Sequence, residues 1–342
     1  MTTSTPRIAV VIPSYRVTRH ILPLLARIGP GVWRVFVVDD ACPDGSGDLV
    51  ERECRDPRVV VLRNAVNLGV GGAVLAGYAA AVEAGADVIV KLDGDGQMDP
   101  ALIPAFTAPI AAGEADYTKG NRFFDLSRIG RMPPARIFGN AALSFMTKLS
   151  SGYWDVFDPT NGYTAIDARV AALLPADRIS RRYFFETDML FRLNTFRAVV
   201  QDVPMDAHYG DEVSGLRISR ILGEFLFKHA RNFFKRIFYN YYLRDFSAAS
   251  LELAAGLGLS AFGASFGLYH WWLSAAQAMT TPTGTVMLAA MPVLVGLQLL
   301  LAFLSQDVAS APRLPIGRRL RLQADAHRAT DAAIRDAAAP SP

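Results

Sequence analysis

The chain has 342 residues, a formal net charge of +3 and a pI near 8.9, a basic excess too mild to indicate nucleic acid as a partner. Its hydrophobic content of 51% and mean hydropathy of +0.21 are high for a purely soluble enzyme, so a concentrated apolar region is expected. Two cysteines, Cys42 and Cys54, make no disulfide framework and lack metal-ligand spacing, which fits reduced thiols in a cytoplasmic compartment.

The chain opens with a short apolar run that ends at Pro13. It is too brief for a signal-peptide core and no small-residue cleavage site follows it, so the catalytic part is expected to stay in the cytoplasm. From Arg7 to about Asp211, β-branched runs alternate with longer amphipathic stretches. "IAVVIPSY", "VFVVDD", "VVVLRN" and "VIVKLD" read as buried strands, with "HILPLLARI", "SGDLVEREC" and "GGAVLAGYAAAVEAG" as helices between them. This alternation predicts an α/β domain with a mostly parallel sheet, whose ligands bind beyond the carboxyl ends of the strands. Those ends carry Pro13 and Tyr15, Asp39 and Asp40, Asn64 and Asn67, then Asp93 and Asp95.

The stretch "VIVKLDGDGQMDP", Val88 to Pro100, delivers Asp93, Asp95 and Asp99 to the end of an apolar strand. A calcium loop starting at Asp93 would need glycine at its sixth position and glutamate at its twelfth, where Met98 and Pro104 stand, so that reading fails. An Asp-x-Asp site that holds a divalent ion against a diphosphate fits better. Hard cations take oxygen ligands, and Mg²⁺ commonly combines one or two carboxylates with substrate phosphates. Gly94 and Gly96 remove side chains where a nucleotide must approach closely. In "NLGVGGAVLAG", a dinucleotide fingerprint would require glycine at Val74 and is broken; a phosphate at the helix start and simple helix–sheet packing both remain open.

Composition changes after Ser214. Residues 216–246 carry apolar and aromatic side chains at helical spacing, interleaved with Arg217, Arg220, Lys228, Arg231, Lys235, Arg236 and Arg244, as expected of a segment lying on an anionic membrane surface. From Leu253 to Gln306 there is no Asp, Glu, Lys or Arg, and "TTPTG" at Thr280 to Gly284 supplies a turn. Each half offers about 20 apolar-dominated residues, the length that spans a hydrocarbon core. "YHWWL" beside the turn suits an interfacial aromatic belt. The turn lacks Lys and Arg, whereas the basic segment precedes the hairpin and Arg313, Arg318, Arg319 and Arg321 follow it, so both ends are expected in the cytoplasm. The expected organisation is a catalytic domain over 1–215, basic interfacial helices over 216–247, a transmembrane hairpin over 248–306, and a cytoplasmic tail over 307–342 that frays after Gln323.

The motifs "VVIPSYR", "VVDDACPDGS", "NLGVGGAVLAGYAAA", "KLDGDGQMDP", "KGNR" and "DPTNGYTAI" stand in the order found in family 2 glycosyltransferases. The chain resembles most the dolichol-phosphate mannose synthase branch and its bacterial polyprenyl-phosphate relatives, over roughly Arg7 to Arg217. The resemblance implies a GT-A fold and inverting transfer from a nucleotide sugar. By position it implies that Pro13, Tyr15 and Asp40 contact the nucleoside and that Asp93 reaches the ribose or diphosphate. Asp93, Asp95 and Gln97 would serve Mg²⁺ or Mn²⁺. Arg122 and Arg136 would face donor and acceptor phosphates, with Arg217 or His208 completing the clamp. In "FFETDML" the implied base is Asp188, with Glu186 as a rival. The sequence departs from the family's pattern at Cys42, where a small hydroxyl is usual.

The expected acceptor is a polyprenyl or dolichyl phosphate, and the expected partners are the nucleotide-sugar donor and the lipid membrane; self-association into a homo-oligomer is left open. A phosphate monoester is largely dianionic at pH 7 and needs little help from a base, whereas a sugar hydroxyl would need Asp188. Two alternatives stand beside this reading: transfer to a lipid-linked saccharide, and a non-catalytic nucleotide-sugar-binding scaffold. The intact Asp93, Asp95, Gln97 and Arg122 argue against a scaffold, which has no need of a metal group.

Overall fold

The structure, a computed structural model, describes residues 5–124, 134–205, 218–323 and 326. The chain divides into two compact units, Met1–Asn232 with Pro312–Pro342, and Phe233–Ala311.

The first unit is built on a seven-stranded sheet. In chain order its elements are β1 (Ile8–Ser14), α1 (Ile21–Ala26), β2 (Arg34–Asp39), α2 (Ser46–Glu53), β3 (Val59–Arg63), α3 (Val70–Glu83) and β4 (Val88–Lys91). There follow α4 (Ile103–Ala111), β5 (Tyr117–Asn121), α5 (Pro134–Ser151), β6 (Thr164–Asp167), α6 (Ala168–Ala172), α7 (Phe185–Thr195) and β7 (Val200–Pro204). The spatial order is β3-β2-β1-β4-β6-β5-β7, with β6 antiparallel to both of its neighbours and the remaining pairs parallel.

The central strands read as continuous apolar runs because both faces of the sheet are covered. In β1, Ala9 and Val11 enter one core with Val38, Tyr78 and Ile166, while Val10 and Ile12 enter the other with Ile21, Leu24 and Phe106. That alternation is the period-2 geometry of a strand. Gly77 lets α3 lie close on the sheet, since a Cβ there would run into Val11 and Val38. The carboxyl ends of β1, β2, β4 and β5 share one edge, and the segment entering the antiparallel β6 reaches the same edge.

The opposite edge receives the segment after the apolar helices. Ile316 and Gly317 donate backbone N–H groups to the Asp116 carboxylate at 3.0 and 2.7 Å, and Arg321 pairs with buried Asp167 at 3.2 Å. A Cβ on Gly317 would lie 2.9 Å from Asp167 Oδ2, so glycine is required for this approach. Residues 312–323, expected as the start of a trailing tail, thus cover the amino-terminal edge of the sheet.

Helix α8 (Ile218–Phe238) leads into a π-helical turn, Tyr239–Arg244. Phe227, Phe234 and Phe238 are exposed along one side of α8, as an apolar stripe of an amphipathic helix. In the second unit, α9 (Ala248–Ala276) and α10 (Thr283–Ala309) pack against each other. Both are long and apolar enough to cross a membrane. Their backbones come close at glycines: a Cβ on Gly256 would lie 3.0 Å from the Gly296 carbonyl. Helix α10 runs past residue 306 to Ala309, so Asp307 belongs to the helix and not to a tail. Asp307 is buried, accepts two hydrogen bonds from Arg236 at 2.6 and 3.0 Å, and takes a third from the Tyr241 hydroxyl at 2.7 Å.

Candidate active site

The carboxyl edge of β1, β2 and β4 opens into a cleft of about 530 Å³. Pro13, Tyr15, Asp40, Asp93 and Asp95, all expected there, line it together. Ser14, Asn67, Arg182 and Tyr183 line it as well. The Ser14 hydroxyl is buried in the wall with no hydrogen-bond partner among the described residues.

Asp39 and Asp40 shape the walls. Asp39 accepts from the Cys42 and Gly47 N–H groups, both at 2.7 Å, and pins the loop after β2. Cys42, at the usual hydroxyl position, accepts the Arg16 N–H and lies 3.1 Å from the Ser46 hydroxyl. Asp40 accepts from Asn64, from Leu68 N–H and from Gly69 N–H at 2.8 to 2.9 Å, so its carboxylate holds the loop that enters α3. The start of α3 lines the cleft through Gly69, Val70 and Ala73 and is also tightly packed: Gly71 N–H donates to the Arg181 carbonyl at 2.8 Å, and a Cβ on Gly69 would strike the same carbonyl.

The acidic run after β4 separates into parts. Asp95 Oδ1 accepts from Gln97 N–H at 3.0 Å across a turn in which Gly96 takes φ +76. Asp93 Oδ1 accepts from Lys91 Nζ at 2.7 Å. Asp99 leaves the cluster: it caps the 3₁₀ turn Pro100–Leu102 through Ala101 N–H and pairs with Arg27. Of the expected metal group, Asp93 and Asp95 line the cleft, hard carboxylate oxygens too few for an all-protein cage, while Gln97 meets Asp95 through its backbone N–H. Among the described residues no cluster of three His, Cys, Asp or Glu could hold a metal. Such a donor set suits Mg²⁺ or Mn²⁺ that shares its coordination with phosphate oxygens.

Arg122 follows β5 at the same edge. Its Nε and Nη2 donate to the two oxygens of wholly buried Asp158, at 2.7 and 3.0 Å, a bidentate fork that fixes the guanidinium plane. Next to it, Phe123, Phe145 and Phe157 line an apolar groove of about 310 Å³ against α5, with Lys148 at the groove. Beneath the same edge, Lys119 is buried and its ammonium donates to the Asn161 carbonyl. Burial pushes its pKa down to about 8, against the opposing pull of Glu186 and Asp158.

The "FFETDML" segment corrects an expectation. Asp188 is fully buried, and its two oxygens accept from Ser180 N–H at 2.8 Å and Asn232 Nδ2 at 3.0 Å. It braces α7 and is not presented to the cleft. Glu186, two residues earlier in the same helix, meets Lys91 at 3.4 Å and thereby joins the Asp93 group. Arg136 stands in the first turn of α5, its side chain outside the described residues, and His208 and Arg217 lie outside them altogether. Ser14, Lys91, Asp158, Gly162 and Arg182 received no role from sequence. Ser14, Lys91, Asp158 and Gly162 stood inside the quoted "VVIPSYR", "KLDGDGQMDP" and "DPTNGYTAI", so a signal was present for them.

A strand-edge cleft lined by Asp40, Asp93 and Asp95, an Asp-x-Asp turn and a forked arginine on a mixed seven-stranded sheet are the features of a GT-A-like glycosyltransferase fold. Residues 9–173 match the description "Glycosyl transferase family 2", and the chain belongs to that family. It is 32% identical over 203 residues to an undecaprenyl-phosphate mannosyltransferase of Micrococcus luteus, covering 58% of this chain and 82% of the relative. A UDP-N-acetylglucosamine–dolichyl-phosphate N-acetylglucosaminyltransferase of Methanococcus voltae is 27% identical, with 59% and 86% covered. In fold, the chain superposes with a TM-score of 0.51 on glucosyl-3-phosphoglycerate synthase from Mycobacterium tuberculosis, solved with Mn²⁺, UDP and phosphoglyceric acid, at 18% identity and covering 68% and 78%.

Proposed function

We propose that this family 2 glycosyltransferase moves a hexose from a nucleoside-diphosphate sugar to a polyprenyl phosphate at the cytoplasmic face of a membrane, with inversion at the anomeric carbon. The observation that carries the reading is the adjacency of Arg122, a fixed guanidinium, to the apolar groove walled by Phe123, Phe145 and Phe157. A phosphate on an isoprenoid chain is the acceptor that uses both features. The two helices apolar enough to span a bilayer would tether the enzyme to the membrane that holds such a lipid. The relatives named for undecaprenyl-phosphate and dolichyl-phosphate transfer support the same acceptor class.

In this reading the nucleoside occupies the cleft between Tyr15, Ser14 and the Asp40-braced loop, and Asp93 faces the ribose or diphosphate. Asp95 and Gln97 would hold Mg²⁺ or Mn²⁺, which when bound neutralises charge on the leaving diphosphate. An oxygen of the acceptor phosphate attacks the anomeric carbon as the bond to the donor diphosphate breaks, and the nucleoside diphosphate leaves. Arg122, with Arg136 and Arg217, would orient and screen the phosphates of the two substrates. The acceptor phosphate is already ionised near neutrality, so the step needs no base at the position of Asp188.

The test is incubation of full-length protein with radiolabelled GDP-mannose, UDP-glucose and UDP-N-acetylglucosamine, each with polyprenyl phosphate or with a lipid-linked saccharide, and Mg²⁺. Label should move into the organic phase with one of the donors as an acid-labile lipid phosphate sugar. Label reaching only a lipid-linked saccharide would favour the second reading. Binding of nucleotide sugar without transfer to either acceptor would leave the scaffold.

A further inference from the structure

Two segments far apart in the chain meet at the wall of the cleft. Gly69 immediately precedes α3, and Arg181 and Arg182 stand shortly before α7. Gly71 N–H donates to the Arg181 carbonyl and Phe185 N–H to the Arg182 carbonyl, both at 2.8 Å, so the backbone of the arginine pair is held from two sides. Gly69 takes φ +82 and gives its own N–H to Asp40 Oδ2 at 2.8 Å. A Cβ on Gly69 would lie 2.9 Å from Arg182 Cγ, so the aliphatic stem of Arg182 runs directly over the glycine.

Gly69 and Arg182 both line the cleft, together with Asp40, Asp93 and Asp95. The stem of Arg182 is seated, but its head is unspent. Arg182 is exposed, and its guanidinium has no hydrogen bond, ion pair or ring contact among the described residues. Arg16, the other arginine of the lining, lies over the Tyr15 ring at 5.5 Å.

The charges around the cleft indicate the ligand for that head. Asp40 is occupied by Asn64 and two backbone N–H groups, and Asp93 shares the single charge of Lys91 with Glu186. A divalent ion at Asp95 would bridge that carboxylate and the diphosphate, so part of its charge is answered by the protein itself. A nucleoside-diphosphate sugar enters as an anion, and its diphosphate gains further negative charge as the sugar leaves. A cation beyond the metal is needed there. A guanidinium suits phosphate well, because its planar fork gives two parallel N–H donors.

We propose that Arg182 is a donor-binding residue whose guanidinium takes the diphosphate of the nucleotide sugar, carried there by a stem seated on Gly69. The inference rests on the reading of this cleft as the nucleotide site, and it is independent of the acceptor.

The experiment compares full-length wild type, Arg182→Met and Arg182→Lys in detergent with Mg²⁺. Methionine keeps an unbranched stem over Gly69 and removes the charge, whereas lysine restores a charge without the fork. Affinities for UDP and GDP are measured by calorimetry and those for uridine and guanosine by competition, beside turnover. Arg182→Met should melt as wild type does and bind the preferred diphosphate about tenfold more weakly or worse, as loss of a hydrogen bond to a charged group does. Its affinity for the matching nucleoside should stay within about twofold of wild type, since the nucleoside carries no phosphate for Arg182 to meet. Arg182→Lys should recover part of the loss. Diphosphate affinity of Arg182→Met equal to that of wild type would overturn the inference. An equal loss for nucleoside and diphosphate would overturn it too, by making Arg182 a wall of the nucleoside pocket. A wild type that binds the diphosphate through Arg182 but transfers no sugar would overturn the proposed function and leave this inference standing. Sugar transfer by Arg182→Met at the wild-type kcat/KM would do the reverse.

Discussion

Asn232 donates its side-chain amide to Asp188 Oδ1 at 3.0 Å, which ties α8 to α7 two residues beyond Glu186. The other Asp188 oxygen is taken by Ser180 N–H, so this carboxylate works as a brace. Asp188→Ala should cost about 2–3 kcal/mol, since a buried amide and a half-buried N–H lose their acceptor. The folded fraction should keep the wild-type dependence of turnover on pH. Thermal unfolding and a pH–rate profile check this; a shifted alkaline limb would restore Asp188 as a base and point to a hydroxyl acceptor.

Asp95 sits half-buried in its turn and belongs to neither hydrophobic core. Asp95→Ala should abolish sugar transfer while the melting temperature stays within a few degrees of wild type, and chelation of divalent ions should reproduce the loss in the wild type. Full turnover in excess chelator would remove the metal from the reaction.

His229, on α8, is buried between Phe184 and Phe225, with Nδ1 2.9 Å from the Ser150 hydroxyl. Burial lowers its pKa from 6.5 to about 4, against a weaker upward pull from the Met146 backbone. The unfolded chain therefore binds this proton at a higher pH than the folded protein does. Stability should be full above pH 6.5 and fall as the pH drops towards 4, by up to about 3 kcal/mol. Melting temperatures of wild type and His229→Phe, followed between pH 7.5 and 4.5, should converge on acidification. Parallel curves would exclude His229 as the cause.

The turn before Thr283 has no basic residue, while basic residues flank the pair of helices on their other sides. On a background lacking Cys42 and Cys54, a cysteine at Thr283 should react with an impermeant reagent from outside intact cells, and one at the exposed Leu314 should not. The reverse pattern would invert the proposed topology.

Much of the chain could be read from pattern alone. Strand β1 is apolar at every position from Ile8 to Ile12 because both faces are covered, and such a run is visible in the letters. The same holds for the two spanning-length helices, where the absence of charge over Leu253 to Gln306 is a property of composition. Asp93 and Asp95 could be placed at the cleft because a strand's end is a local feature, and local features survive in sequence.

The tertiary structure decided what depends on distant partners. Glu186 and Asp188 are indistinguishable in "FFETDML": only the approach of Lys91 from β4 and of Asn232 from α8 shows that one pairs with the lysine that also holds Asp93 and the other braces a helix. Asp99 looks like a third member of the acidic cluster until Arg27 and the turn it caps are in view. Residues 312–323 read as the start of a tail because their contacts, Asp116 and Asp167, lie about 150 to 200 positions earlier. A carboxylate takes its role from the donor that reaches it, and when that donor comes from another element only the fold brings the two together.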